Sequence, residues 1–195
     1  MNVFITGSTG FLGGEILVTL SKRKEINKIY CLVRANDEVE AILRLDKVFS
    51  FQGYDLKKEK VFPVIGNLVD DNLTEKLISN PELQDINVII HSAANTSFSG
   101  IYDKMVEQTN IEGLKKIVLF AKQLPKFETF LHIGTATICG KEVKHRLVKE
   151  EESPNLDAKH VVSYTHSKAQ GELIIREHLP ENKILIARPS IIMGD

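Results

Sequence analysis

Only two cysteines, Cys31 and Cys139, occur in 195 residues. That is too few for a disulfide framework, and a reducing, cytoplasmic setting is the simplest expectation. No apolar run approaches the roughly 20 residues that span a bilayer, so no membrane span is expected. Charge of one sign is missing too. The 25 Lys and Arg against 26 Asp and Glu leave a net charge of −1. Nothing electrostatic therefore favours nucleic acid or an anionic membrane surface. The six histidines offer no pair at convincing metal-ligand spacing, so no metal is expected. There is no internal repeat and no low-complexity tract. The chain opens straight into a strand-like run, so no signal peptide is expected. What remains is 43% hydrophobic and 26% charged, a composition that suits one well-cored globular domain.

That domain is organised around its opening. Val3 to Ile5 reads as a buried strand, Thr6 to Gly10 as a turn, and from Phe11 the residues Leu12, Ile16, Leu17 and Leu20 recur at helical spacing. Gly7, Gly10 and Gly13 thus lie on a strand–turn–helix unit, the context in which a glycine triplet carries meaning. Gly7 permits a sharp turn, Gly10 leaves room for a pyrophosphate, and Gly13 lets helix and strand pack closely. The helix start offers free N–H groups and a positive dipole end to phosphates. Its spacing is G-x-x-G-x-x-G, one residue longer than the common G-x-G-x-x-G.

Five further strand-like runs follow: 28–33, 61–65, 87–91, 127–133 and 184–187. Helical segments alternate with them. Asp37 can cap a helix with Val39, Ile42, Leu43 and Phe49 on one side and Arg44 away from that face. A short helix is expected at 73–78, one long helix over 101–124 with Asn110 near its middle, and another over 164–178. Residues 141–162 read as a long polar loop. Six strands alternating with helices predict a doubly wound parallel sheet of Rossmann type, strand order 3-2-1-4-5-6, in one domain over 1–195. Ligands in such sheets lie beyond the carboxyl ends of the strands. Gly7 to Gly13, Arg34, Asn67, Ala93, Thr135 and Pro189 all fall at those ends.

Tyr164 and Lys168 stand four residues apart, on one helix face. A phenol titrates near 10 when unperturbed, and a nearby ammonium lowers that value. The same ammonium can bond a cofactor ribose, and Thr135 can help hold a substrate oxygen. The Y-x-x-x-K pattern is cheap, and Tyr54 with Lys58 repeats it. That pair falls in a loop before the third strand, away from the cofactor end, and is read as a decoy. Cys139 invites an acyl-transfer role, but a small buried apolar residue is the plainer reading. His91 and His132 read as satisfied core residues. Phe98 could line the substrate side or simply pack its loop. NAD-binding sheets usually place a carboxylate after the second strand for the ribose 2′-OH; this chain has Arg34 there, which suits a 2′-phosphate. Asp37 and Glu38 are the contrary feature.

Thr6 to Gly13, Thr135, Tyr164, Lys168 and Asn110 together resemble the extended short-chain dehydrogenases/reductases. Phe11-Leu12-Gly13, Cys31-Leu32-Val33-Arg34-Ala35, His91-Ser92-Ala93-Ala94 and Arg188-Pro189-Ser190-Ile191-Ile192-Met193-Gly194-Asp195 are most similar to the thioester reductase and fatty acyl-CoA reductase domains. The resemblance implies NADPH-dependent reduction of an acyl thioester, on CoA or a carrier protein, to an aldehyde or alcohol. It makes Thr135, Tyr164 and Lys168 catalytic. It implies cofactor binding by Gly7, Ser8, Thr9, Gly10, Phe11, Leu12, Gly13, Arg34, Arg44, Asn67, Leu68, Ala93, Ala94, Asn110, Lys168 and Pro189. Two arginines at the spacing of Arg34 and Arg44 hold the 2′-phosphate in that family. Asn67 replaces a usual Asp, and Gly134 a common Ser. The family's C-terminal substrate region follows the Gly-Asp at which this chain stops, so a truncated chain, itself inactive on acyl-CoA, is expected. Two other readings remain: a nucleotide-sugar epimerase, dehydratase or reductase, and a dinucleotide-binding sensor without turnover.

Overall fold

The computed structural model describes residues 1–140 and 147–194. Residues 141–146 of the expected polar loop, and Asp195 of the closing motif, lie outside the described residues. Six strands form one sheet: β1 (Asn2–Thr6), β2 (Lys28–Val33), β3 (Val61–Ile65), β4 (Val88–His91), β5 (Thr129–Ile133) and β6 (Ile184–Ala187). All are parallel and run in the order β3-β2-β1-β4-β5-β6. The expected doubly wound topology is therefore the observed one. Its order reverses at β1, between β2 and β4, and that is where such sheets leave a crevice.

Side chains alternate across each strand, and both faces are covered. Val3 and Ile5 of β1 join Ile29, Cys31 and Val33 of β2 under helices α1 (Phe11–Ser21) and α2 (Glu38–Phe51). Phe4 turns the other way, with Tyr30, Ile89 and Phe130, under α3 (Leu73–Ser79) and the helices that follow β4 and β5. Phe4 meets Phe120 edge to face, with ring centroids 5.3 Å apart.

Two helices depart from expectation. In α2, Val39 and Leu43 are 68% and 62% exposed, while Ala41, Leu45 and Phe49 are buried. Asp37 caps the helix as expected, accepting the Glu40 N–H at 2.8 Å. Two apolar stripes are available on this helix, and the one containing small Ala41 packs closer to the sheet. The segment 101–124 is not one α-helix. A 3-10 turn (Gly100–Tyr102) leads into α4 (Asp103–Glu107), then a π-helical turn (Gln108–Glu112), then α5 (Gly113–Gln123). The final helix, α6 (Ser163–His178), starts one residue before Tyr164.

On the α5–α6 face, Thr6, His91 and His132 lie in register at the ends of β1, β4 and β5. His91 and His132 stack, centroids 5.7 Å apart and planes 11° apart. His91 Nδ1 meets the Thr6 hydroxyl at 3.0 Å, but neither ring nitrogen of His132 has a partner among the described residues. His132 is thus not the satisfied core residue expected. Burial, aided by the charge of Lys168, lowers His91 to about 3 and His132 well below 6.5. Between pH 6.5 and about 3 the unfolded chain therefore binds protons that the folded His91 refuses. Stability is unaffected by these rings above pH 6.5 and falls as the pH drops through that window. His91 contributes about 1.4 kcal/mol per pH unit there. Denaturant unfolding at stepped pH should show a shallower acid loss in His91→Gln than in the wild type. Equal slopes would mean that His91 titrates freely.

Candidate active site

The glycine turn is built as the sequence demands. Gly7 has φ of 74°, and a Cβ there would lie 2.6 Å from the Ala93 nitrogen. A Cβ on Gly13 would lie 2.1 Å from the Gly7 carbonyl oxygen. Both positions exclude any side chain. The Gly10 N–H closes the turn on the Gly7 carbonyl at 2.9 Å. Gly10 also begins α1, where no side chain caps the helix and no acidic residue occupies the first turn. The N-terminal N–H groups are left for an anion, so the cradle fits a pyrophosphate. Thr9, Gly10 and Phe11 are exposed and Leu12 is half-buried. Ser8 is fully buried beside the Cys31 thiol, which burial pushes up to about 12. The turn's outer surface is therefore made by its neighbours.

The other expected cofactor residues follow the strands. Arg34 is exposed directly after β2, and Arg44 comes to it from α2, donating from Nη1 to the Arg34 carbonyl at 2.7 Å. Glu40 stands 4.0 Å from Arg44 and accepts from the Asn36 N–H and side-chain amide. After β3, Asn67 is half-buried, its N–H held by Asp70 at 2.9 Å, while Leu68 is buried in the core. After β4, the Ala93 N–H donates to the Thr6 hydroxyl at 3.2 Å, and Ala94 is half-buried. After β6, the Pro189 carbonyl accepts the Ala136 N–H at 2.9 Å and so ties this strand end to the Thr135 turn.

Asn110 sits in the π-helical turn and is 5% exposed. Its amide accepts the Asn95 N–H at 2.7 Å and donates to the Asn95 carbonyl at 3.0 Å and to the Ser167 hydroxyl at 2.9 Å. The extra residue of the turn re-aims this side chain and couples the loop after β4 to α6. Thr135, 9% exposed, meets the Thr137 hydroxyl at 3.0 Å. The turn it starts (Ala136–Cys139) packs against α6. Cys139 is half-buried at that turn's end. Tyr164 lies beside Phe98, which is 66% exposed, with centroids 5.9 Å apart. Lys168, one turn further on, is 4% exposed and faces His91 and His132 at the strand ends.

Burial raises the Tyr164 phenol above its ordinary 10, so the lowering expected from Lys168 does not outweigh desolvation. Burial lowers Lys168 to about 8, with the Glu172 carboxylate pulling the other way. Glu172 and Arg188 are functional-site neighbours that sequence reasoning passed over. A charged residue four places after Lys168 shares its buried face, which was the available signal. Tyr54, the decoy, packs its ring under the Lys22 ammonium at 3.4 Å in the loop before β3, away from all of this. Among the described residues, no group of three or more His, Cys, Asp or Glu could hold a metal ion, and no helix is long and apolar enough to cross a membrane.

A glycine turn at the switch point, with a Tyr–Lys pair on the helix before the last strand, defines a dinucleotide-binding domain like that of the short-chain dehydrogenases/reductases. The chain belongs to the NAD-binding family described as male sterility protein, whose model matches residues 5–195. It is 34% identical to the chloroplastic fatty acyl-CoA reductase 2 of Arabidopsis thaliana, over 70% of this chain and 24% of that protein. It is 27% identical to fatty acyl-CoA reductase 2 of Mus musculus, over 98% of this chain and 43% of that protein. The chain thus spans less than half the length of either. Among solved structures, the terminal R domain of the myxalamid PKS-NRPS pathway matches with a TM-score of 0.85 and 25% identity. That match covers 99% of this chain and 49% of the R domain.

Asn110→Ala would leave the Asn95 N–H and carbonyl without partners. A stability loss of about 2–3 kcal/mol is expected in urea unfolding. A loss below about 1 kcal/mol would show that the loop after β4 is held by other contacts.

Proposed function

We propose that this chain is the NADPH-binding and catalytic part of a reductase that acts on acyl thioesters, carried by CoA or by a carrier protein, and gives an aldehyde or alcohol. The observation that carries the reading is Lys168. An ammonium 4% exposed is costly, and here it sits one turn beyond Tyr164, at the strand ends that the glycine turn faces. The family and its acyl-CoA reductase relatives supply the substrate class.

The pyrophosphate would rest on Gly7 to Gly13, the 2′-phosphate on Arg34 and Arg44, and the ribose on Lys168. When bound, the reduced nicotinamide supplies the hydride. Thr135 and Tyr164 donate hydrogen bonds to the thioester oxygen as negative charge grows on it, where such donors matter most. Burial keeps the Tyr164 phenol protonated, hence a donor, at neutral pH. The Lys168 ammonium, held to about 8, adds positive charge beside it. Asn110 fixes α6 against the loop after β4 through Ser167 and Asn95.

Cofactor choice rests on charge. Asp37, one of two carboxylates that could have bonded a 2′-OH, caps α2 instead. Arg44 is already drawn to the Arg34 strand end. A charge-assisted contact is worth roughly 1.5–3 kcal/mol, so each arginine can supply about tenfold discrimination. Fluorescence titration should show tighter binding of NADPH than NADH. Arg34→Ala should remove most of the difference, and Arg44→Ala part of it. Equal affinities, or tighter NADH, would sink the assignment.

Catalysis is tested separately. Measured on the native gene product at its full length, Tyr164→Phe should cut thioester reduction about 10²-fold or more while leaving cofactor affinity nearly intact. An unchanged kcat would remove Tyr164 from the mechanism.

A further inference from the structure

Glu172 has no exposed surface at all, yet it carries a carboxylate. It lies one turn beyond Lys168 on the buried face of α6. Its charge is met from β6: Arg188 Nε donates to both oxygens at 3.1 Å, and Nη2 to one of them at 2.7 Å. The same guanidinium reaches outward. Nη1 donates to the Glu150 carbonyl at 3.0 Å and Nη2 to the Glu152 carbonyl at 2.8 Å. Room for the carboxylate comes from Gly134, the neighbour of Thr135. A Cβ there would lie 2.8 Å from Glu172 Oε1 and 3.3 Å from the Ala187 carbonyl. A side chain at 134 and this carboxylate are mutually exclusive without rearrangement.

We propose that Glu172 and Arg188 are a positioning pair: Glu172 sets the electrostatic surroundings of Lys168, while Arg188 fastens the 150–152 segment to the end of β6 behind Thr135. A buried pair of this kind is weak evidence for stability, since apolar residues of similar volume often do as well. Its placement is what gives it a role. One carboxylate occupies the space a side chain at Gly134, beside Thr135, would take, shares a helix face with Lys168, and anchors the guanidinium that holds the chain leading toward Tyr164. Among the described residues, the titratable groups set around Lys168 are Tyr164 and Glu172, each one turn away on its own helix, His91 from β4 and His132 from β5. Arg188 reaches Glu172 from β6. Burial keeps both histidines neutral, which leaves Glu172 as the negative charge opposing desolvation of the ammonium.

The proposal rests on Lys168 being the site's ammonium, but its test needs neither cofactor nor acyl substrate, so it can fail independently of the NADPH titration. The lysine Nζ signals of the 195-residue chain are titrated by heteronuclear NMR, with Lys168 assigned as the signal lost in Lys168→Met. Glu172→Gln keeps the shape and removes the charge. Its Lys168 midpoint should fall by about one pH unit, tenfold in proton affinity. An unchanged midpoint overturns the electrostatic role. Should that variant fail to fold, Glu172→Met removes the same charge while Arg188 keeps its Glu150 and Glu152 carbonyl partners, and the same fall or its absence decides. For the fastening role, Arg188→Lys keeps the charge but loses the fork. A glutamate-specific protease should then cut the 150–152 segment about tenfold faster than in the wild type. An unchanged cleavage rate overturns that role.

Discussion

The Thr6 hydroxyl is the contact on which the site's geometry depends. It accepts the Ala93 N–H at 3.2 Å and shares a hydrogen bond with His91 Nδ1 at 3.0 Å. Two neighbouring strands are thereby locked where the sheet order reverses. Gly7, the next residue, has its backbone so close to Ala93 that no Cβ fits between them. The glycine turn and the loop after β4 are thus set by one fully buried hydroxyl and one missing side chain. The same hydrogen bond holds the His91 ring in place. That ring, kept neutral by burial and the charge of Lys168, stacks on His132.

From that fixed point the site extends outward through polar contacts, not apolar ones. Asn110 links the loop after β4 to α6. The Pro189 carbonyl links β6 to the Thr135 turn. Arg188 and Glu172 link β6 to α6 and to the segment before it. The apolar clusters on the two sheet faces hold the layers together but do not discriminate among side-chain positions at the strand ends. Hydrogen bonds do, because a buried donor or acceptor tolerates few geometries.

This division explains what the sequence made legible. Strand positions, sheet order and the glycine turn follow from alternating apolar runs and from glycines where no side chain fits, and both leave marks in the sequence. The phase of α2 did not, because Val39 with Leu43 and Ala41 with Leu45 offered rival stripes. The π-helical turn left no mark either. It coincides with the hydrogen bonds of Asn110 to Asn95 and Ser167, residues far apart in the chain. The pairing of Glu172 with Arg188 left no mark, since pairing across a fold is invisible to local pattern. The effect on Tyr164 was misjudged for a related reason: burial is a property of the assembled site, and it raises the phenol despite a lysine one turn away.

A phenol held protonated and an ammonium held near 8 suit one kind of chemistry better than another. Taking a proton from an alcohol asks the tyrosine to be a base, which its burial opposes. Stabilising a developing oxyanion asks it only to donate, which burial permits, and low polarity around it strengthens the bond. In the reaction proposed above, that would favour carbonyl reduction over alcohol oxidation. Lys168 weakens that preference as the pH rises. Above about 8 it loses its proton, and with it the positive charge that would favour the anionic transition state. A carboxylate at Glu172, kept in place by the absence of a side chain at Gly134, works against that loss. Residues on three elements thus converge on the protonation of one lysine, and that state links the electrostatics of the fold to the direction of the reaction proposed for it.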